Sequence, residues 1–531
     1  MTYRQYGLLF MLSLAVTCVV AFFQAVPGYM DADYYFAGGL RLVQGHGFTE
    51  TYLWNYLDNP QSLPHPSHAY WFPLASILAA AGMFLTGQHT FLAGRLGFIL
   101  VAALIPPVTA ALAYSLTARR DVSLVSGLLA VFPSYQTPFM PTSDNFGLFM
   151  LLGGLFFIFF NRPDKKSLFA LGLVAGLMNL ARSDGLLWLA VGLFGLFLKL
   201  YKEKHSSPSL SPLPLLRSYL FLVSFFVTGY LLVMAPWIAR NISVFGAPLT
   251  PGGSHVLWMT SYSDTFAYPA DRINMQNWLA AGWQSALDAR WSAFVLNFEN
   301  TFAAQGGILL FPFIFIGLWQ LRAELRVRLA VLAWLGLFVL MTLVFPFAGS
   351  RGSFIHAGAA FQPLWWAAAV PGLDYLTHKA RQRGLFTPQA FVFFRLMLVI
   401  VMAVLTIFLV YTRVIQTDWA EFDHAYRHAE QILVENGASA QDTVVVANSP
   451  GYFVVTGRPA VTVPSEDPAI LQTLARRFNA RYLVLEKNYL PDSFKNVYDL
   501  PQNQPGLKYL GGFESAPQGD EVRIFEIEPG T

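Results

Sequence analysis

The residues best suited to chemistry stand at the ends of long apolar runs. Just beyond the first run comes Asp31-Ala-Asp-Tyr-Tyr35, and the stretch continues through Arg41 and Gly45-His-Gly47 to His65-Pro-Ser-His-Ala-Tyr-Trp71. A carboxylate at a membrane rim can act as general base toward an acceptor hydroxyl or amine within reach of a lipid-borne substrate. The alternative for Asp31 and Asp33 is a solvated helix start, where the N-terminal dipole favours negative charge. His65 and His68 could also pair on a metal, given a carboxylate partner.

Five further positions offer charge at the ends of later runs. Asp144 in Pro141-Thr-Ser-Asp144 is either a functional carboxylate or the cap of the next helix. An unpaired carboxylate near lipid is costly, so it must meet water, a metal or a polar partner. Arg182 in Leu180-Ala-Arg-Ser-Asp-Gly185 offers a guanidinium, which can donate two parallel hydrogen bonds to a phosphate and keeps its charge. Its alternative is an ion pair with Asp184. Arg240 in Pro236-Trp-Ile-Ala-Arg-Asn241 can hold phosphate or anchor the interface beside Trp237. Arg351 and His356 add a cationic contact near Phe347. Asp31 and Asp144 together suit a hard divalent ion such as Mg or Mn.

These residues need a membrane scaffold. Of 531 residues, 55% are hydrophobic and 12% charged, against about 25% charged in a soluble domain. The expected fold is a polytopic α-helical membrane protein of about eleven spans, with juxtamembrane helices in the first outer loop and a C-terminal α/β extracytoplasmic domain. The first span runs from Gly7 to Val26 and is retained, since no cleavage-site pattern follows it. The others run from Phe91 to Leu116, Val122 to Phe139, Phe146 to Phe160, Ser167 to Leu180, Gly185 to Leu198, Tyr219 to Ile238, Thr301 to Trp319, Leu329 to Phe347, Ala357 to Leu373 and Phe391 to Tyr411. The domains are therefore 1–411, in the membrane, and 412–531, outside it.

Charge sets the orientation. With Tyr70 to Leu85 read as a juxtamembrane or re-entrant helix, five clusters fall inside: Arg119-Arg120, Arg162 with Lys165-Lys166, Lys199 with Lys202 and Lys204, Arg322 with Arg326 and Arg328, and Lys379 with Arg381 and Arg383. The N-terminus is then cytoplasmic, and all the candidate site residues lie outside. The net charge of +3 is too small to argue for nucleic acid, and the single cysteine, Cys18, allows no intrachain disulfide.

In the C-terminal region, an amphipathic helix from Trp419 to Asn436 precedes strand-like runs at Thr443–Ala447, Tyr452–Val455, Ala460–Val463 and Arg481–Leu485. A helix from Pro468 to Phe478 and strands near Lys508 and Val522 complete an α/β pattern. Asn448-Ser-Pro-Gly451 is expected to lead into another strand, which argues against a phosphate loop and a nucleotide site.

Taken in order, the motifs resemble those of GT-C glycosyltransferases, in the branch of the protein O-mannosyltransferases and the aminoarabinose transferases of lipid A. That family has an acidic residue in its first outer loop, Tyr four positions on and Gly fourteen on, as Asp31, Tyr35 and Gly45 do here. A second acidic residue directly after the first is common there, whereas this chain has Ala32 and then Asp33. His65-Pro66 before Tyr70-Trp71, Arg182, and Pro236-Trp237 followed by Arg240 are similar too, as is an acid at Asp144. The agreement runs from the first span to about Asn241 and is architectural beyond it.

The resemblance implies inverting transfer of a monosaccharide from a polyprenyl-phosphate carrier to a protein, lipid or glycan acceptor on the outer face of the plasma (inner) membrane. It assigns Asp31 as base with Asp33 as helper or substitute, Arg182 and Arg240 to the donor phosphate, and Tyr35, His65 and Asp144 to substrate; the residues themselves add Arg351 as a further phosphate cation and His356 as a substrate contact. A divalent ion on Asp31 and Asp144 is optional, since relatives differ. Two rivals stay open. A flippase or transporter would place charges nearer mid-membrane, and a polysaccharide ligase would hand on a whole glycan.

Overall fold

The computed structural model describes residues 1–162, 164–206, 212–515 and 520–528. The side chain of Lys204, one of the cluster cations, lies outside the described residues. The chain forms two compact units: Met1–Ala21, Phe98–Ser243 and Arg290–Tyr411 make the first, and Phe22–Gly97, Val244–Ala289 and Thr412–Thr531 the second.

Among the described residues, six helices are long and apolar enough to cross a membrane: Tyr3–Phe22, Phe91–Thr117, Ser183–Lys202, Leu216–Phe245, Leu325–Val344 and Ala390–Ile415. Leu74–Thr86, Asn145–Phe160 and Phe311–Gln320 are shorter apolar helices. Leu74–Thr86, with 13 residues, reaches about 20 Å at 1.5 Å per residue, short of a hydrocarbon core of about 30 Å.

Two expected spans are not single helices. The α-helix Arg120–Val131 stops at Phe132-Pro133, and Ser134–Phe139 continues as a 3-10 turn that starts on a left-handed Ser134. The expected span from Thr301 to Trp319 breaks where Gly307 and Ile308 take φ of 53° and 52°. That left-handed pair cannot continue a right-handed helix, and a regular α-helix resumes only at Phe311–Gln320. The break satisfies its own amides, because Ile308 N–H donates to Phe302 O and Gly306 N–H to Thr301 O, as a low-dielectric setting requires.

The second unit is built on a sheet. Its strands, in chain order, are β1 (Thr49–Glu50), β2 (Tyr52–Leu53), β3 (His65–Pro66), β4 (Thr443–Val445), β5 (Ala460–Val461), β6 (Ala480–Glu486), β7 (Leu507–Ser515) and β8 (Asp520–Ile527). β1 pairs with β3, and the other six run in the order β2-β5-β4-β6-β8-β7. The β2, β5, β4 and β6 strands are parallel, while β8 and β7 are antiparallel.

Alternation places Val445, Leu483, Leu485 and Phe525 on one face with Leu471, Leu474 and Phe478 of helix Leu471–Phe478. Val444, Val446, Tyr482, Val484 and Ile524 face the other way, against Tyr426, Ala429 and Leu433 of helix Glu421–Glu435. Both faces are buried, which is why these strands read as continuous apolar runs.

One expected strand is a helix. Tyr452–Val455 lies inside Ser449–Thr456, whose start is capped by the Asn448 side chain accepting from Gly451 N–H, with Pro450 in the first turn and a left-handed Gly457 at the end. Cap, proline and terminal glycine favour helix, and Tyr452 is buried with its hydroxyl donating to Glu430 at 2.8 Å. Asn448-Ser-Pro-Gly451 therefore does lead from a strand into a helix, correcting the sequence expectation.

Candidate active site

In the second unit, Asp31 and Asp33 occupy the first turn of helix Met30–Val43, which we call the rim helix. Gly38 and Gly39 let it pack backbone-close on helix Leu74–Thr86: a Cβ on Gly38 would lie 2.6 Å from Ser76 Oγ, and one on Gly39 2.9 Å from Ala79 Cβ. The helix ends at a Gln44 cap, and Gly45 turns left-handed at φ 82°, a conformation that favours glycine. So the glycine in the Asp31-Tyr35-Gly45 spacing closes the helix that carries the aspartate.

The two aspartates have different surroundings. Asp31 is half-buried. Asp33 is buried, and Asn448 Nδ2 donates to its Oδ2 at 2.8 Å. A Cβ on Gly451 would meet that oxygen at 2.8 Å, so the carboxylate sits against the N-terminus of helix Ser449–Thr456. Burial pushes the Asp33 carboxyl up to about 7, the Asn448 hydrogen bond opposes the rise, and Asp423 and Asp31 add to it. Asp33 thus fastens the rim helix to the sheet region.

The contact makes a test. Asn448→Ala removes a cap and leaves Asp33 buried without this donor, so the variant should lose about 1–3 kcal/mol of stability, read as an earlier unfolding midpoint. An unchanged midpoint would show the contact to be idle.

Tyr35 is buried, with its ring tilted against Trp71 at 5.8 Å. Its neighbour Tyr34, which the motif does not feature, donates to Glu50 Oε2 at 2.9 Å and accepts from His68 N–H at 2.8 Å. His65 Nε2 pairs with Asp58 Oδ2 at 2.5 Å. The ring nitrogens of His68 meet Ser67 Oγ and Ser76 Oγ at 2.8 and 3.0 Å, so the structure does not join the two histidines as metal ligands.

In the first unit, Asp144 is 2% exposed and caps helix Asn145–Phe160. His356 Nε2 lies 3.3 Å from its Oδ2, and the imidazole stacks on Phe146 at 3.9 Å. His356 Nδ1 is 3.0 Å from Gly352 O. A carbonyl only accepts, so this bond puts the proton on Nδ1 and leaves Nε2 to present a lone pair or a second proton. As an imidazolium, His356 donates to Asp144 through Nε2; as a neutral ring it faces the carboxylate acceptor to acceptor, an arrangement that a cation between them would satisfy. Metal bonds of about 2.0–2.2 Å in a tetrahedral site place neighbouring ligand atoms about 3.3–3.6 Å apart, and the observed separation lies at the short end of that range.

Arg182 follows helix Lys165–Ala181 in extended conformation. Its Nε lies 3.0 and 3.2 Å from the two Asp184 carboxylate oxygens, and its Nη2 2.7 Å from Oδ2. Nη2 also reaches Ser353 O at 3.5 Å. Ser353 follows Arg351 and the left-handed Gly352 and precedes His356 by three positions, so one short segment serves both Arg182 and the Asp144–His356 pair. Arg240, near the end of helix Pro212–Phe245, lies over the Trp237 ring at 4.7 Å and bonds Asn241 at 3.2 Å, the geometry of an interface anchor.

Asn448 is the site-related residue the sequence reading passed over. Its available signal was the Asn-Ser-Pro-Gly cap pattern.

No family model matches the sequence, and no curated protein does. Among solved structures, an oligosaccharyltransferase from Archaeoglobus fulgidus, in complex with Zn and sulfate, superposes with a TM-score of 0.55 at 11% identity, over 96% of this chain and 72% of that one. ArnT from Cupriavidus metallidurans, bound to undecaprenyl phosphate, gives 0.54 at 14% identity, over 98% of both chains. The chain has a GT-C fold. The chain combines apolar helices of span length with a six-stranded sheet. Within the GT-C fold of this chain, Asp144 and His356 form an acidic/His pair able to hold a cation.

Proposed function

We propose that the protein is an inverting glycosyltransferase that moves a monosaccharide from a polyprenyl-phosphate carrier to an acceptor on the outer face of the membrane. The observation that supports this reading most is the grouping of Asp144, His356 and Arg182 around the segment Gly349–Ser353 and its continuation to His356. Their chemistry suits a phosphate leaving group. The superposed ArnT holds undecaprenyl phosphate, the kind of lipid carrier the reading requires.

In this reading Asp31 takes the acceptor proton as the acceptor attacks the sugar carbon. The bond from that carbon to the carrier phosphate breaks, and its electrons pass to the phosphate oxygen. Arg182 stabilises the charge that develops there, with Arg351 as a second cation and Arg240 holding the interface. Asp33, Tyr35 and His65 position the rim helix and its loop. A single displacement inverts the anomeric centre, so NMR of the product should show the opposite configuration to the donor; retention would refute direct attack.

Asp144 and His356 would hold a divalent cation, which supplies a Lewis acid beside the phosphate. An imidazole ligand suits Mn or Zn better than Mg. A chelator should therefore depress transfer, with recovery on adding Mn or Zn. Full activity after exhaustive chelation would leave His356 as the protonated partner of Asp144.

A further inference from the structure

The helical unit carries a groove of about 880 Å³ whose walls include Phe294, Phe298, Phe315, Leu318, Trp334 and Phe338. At one end stand Arg322, in the turn after helix Phe311–Gln320, and Arg328, in the first turn of helix Leu325–Val339. Gln305 and Trp334 also line the groove, and Trp334 Nε1 donates to Gln305 Oε1 at 2.8 Å. From Arg328 to Phe338 the helix rises about 15 Å, half of a hydrocarbon core of about 30 Å. The groove's lining on this helix thus spans about one leaflet.

Both arginines are exposed and held by backbone carbonyls. Arg322 donates to Trp319 O and covers the Trp319 ring at 4.5 Å, and Arg328 Nε donates to Arg322 O at 2.6 Å. The nearby Glu324 faces Arg326 instead, at 3.3 Å. Two guanidiniums therefore sit at the mouth of an apolar slot. The candidate span Leu325–Val344, 20 residues long, separates this mouth from Arg351 and His356, so the groove opens at the opposite end of that span from the candidate active site.

We infer that this groove binds an anionic glycerophospholipid, its phosphate between Arg322 and Arg328 and an acyl chain along Phe315, Trp334 and Phe338. Basic pockets between spanning helices attract anionic headgroups, each cation near the surface adding about fivefold to affinity. A lining of about one leaflet matches an acyl chain and is too short for an extended polyprenyl tail, which selects the phospholipid over the sugar carrier.

The test uses the full-length protein in detergent, with phosphatidylglycerol or phosphatidylcholine of identical chains, and counts bound lipid by native mass spectrometry. Phosphatidylglycerol should be retained about tenfold or more over phosphatidylcholine. The pair Arg322→Gln and Arg328→Gln should erase that preference, while Leu332→Trp, which fills the slot and keeps the charges, should lower retention of both lipids. Equal retention by the wild type, a preference that survives loss of both arginines, or displacement of phosphatidylglycerol by a polyprenyl phosphate would overturn the assignment. Unfolding midpoints measured alongside identify any variant that fails to fold, and Arg322→Lys with Arg328→Lys then serves as the charge-retaining control expected to keep the preference.

Discussion

Replacing Arg182 by alanine is expected to slow sugar transfer by about a hundredfold or more, the usual consequence of losing one preorganised donor aimed at developing charge. The structure sharpens how that result must be read. Arg182 spends its Nε–Nη2 edge on Asp184, with side chains only 12% and 9% exposed. A guanidinium has five N–H donors, so an ion pair and a phosphate contact are compatible. Removing the arginine alone also strands a buried carboxylate, and breaking such a pair costs about 3–5 kcal/mol.

The double variant Arg182→Ala with Asp184→Asn separates the two effects. It removes both charges and relieves the stranded acid. If Arg182 acts on the phosphate, the double variant folds and stays inactive. Recovery of transfer in the double variant would mean that the pair is structural and that the cation lies elsewhere.

The second large effect is expected at Asp31. Loss of a general base typically lowers turnover about 10²- to 10⁴-fold, so Asp31→Asn should be nearly inactive in transfer assays. Its effect on folding should be small, because a charge in the first turn of a helix contributes only about 0.3–1 kcal/mol. Asp33→Asn is the matched control. The buried Asp33 carboxyl is pushed up to about 7, and an asparagine can still accept from Asn448, so this variant should keep most of its activity at neutral pH. The reverse pattern, with Asp33→Asn inactive and Asp31→Asn active, would move the base to Asp33.

Much of the scaffold is readable from hydropathy, because apolar runs of span length have few alternatives. The runs at Phe91 to Leu116 and Phe391 to Tyr411 reappear as helices Phe91–Thr117 and Ala390–Ile415. Hydropathy is blind to backbone breaks within an apolar run, however. Nothing in the polarity of Gly307-Ile308 announces two left-handed residues, so the run from Thr301 to Trp319 looks continuous when it is not. Short β-branched runs mislead in the opposite direction, as at Tyr452–Val455, where capping by Asn448 decides for helix.

Long-range pairing was the least visible feature. β2 is two residues long and joins β5 some four hundred positions later, and no alternation in so short a segment marks it as a strand. Asp144 and His356 each stood out by type and place, but only folding brings them to 3.3 Å. Arg182 and Asp184 were legible as a pair because they are two positions apart. Asp33 was legible as an acid at a helix start, while its burial against Asn448 depended on the sheet region.

The most direct measurement is to incubate the purified protein with a panel of radiolabelled polyprenyl-phosphate sugars and a mixed acceptor preparation, following free polyprenyl phosphate and labelled acceptor together. One donor should lose its sugar, with one carrier phosphate released for each acceptor labelled. A wild-type protein that folds, binds lipid and consumes none of the donors would contradict the account.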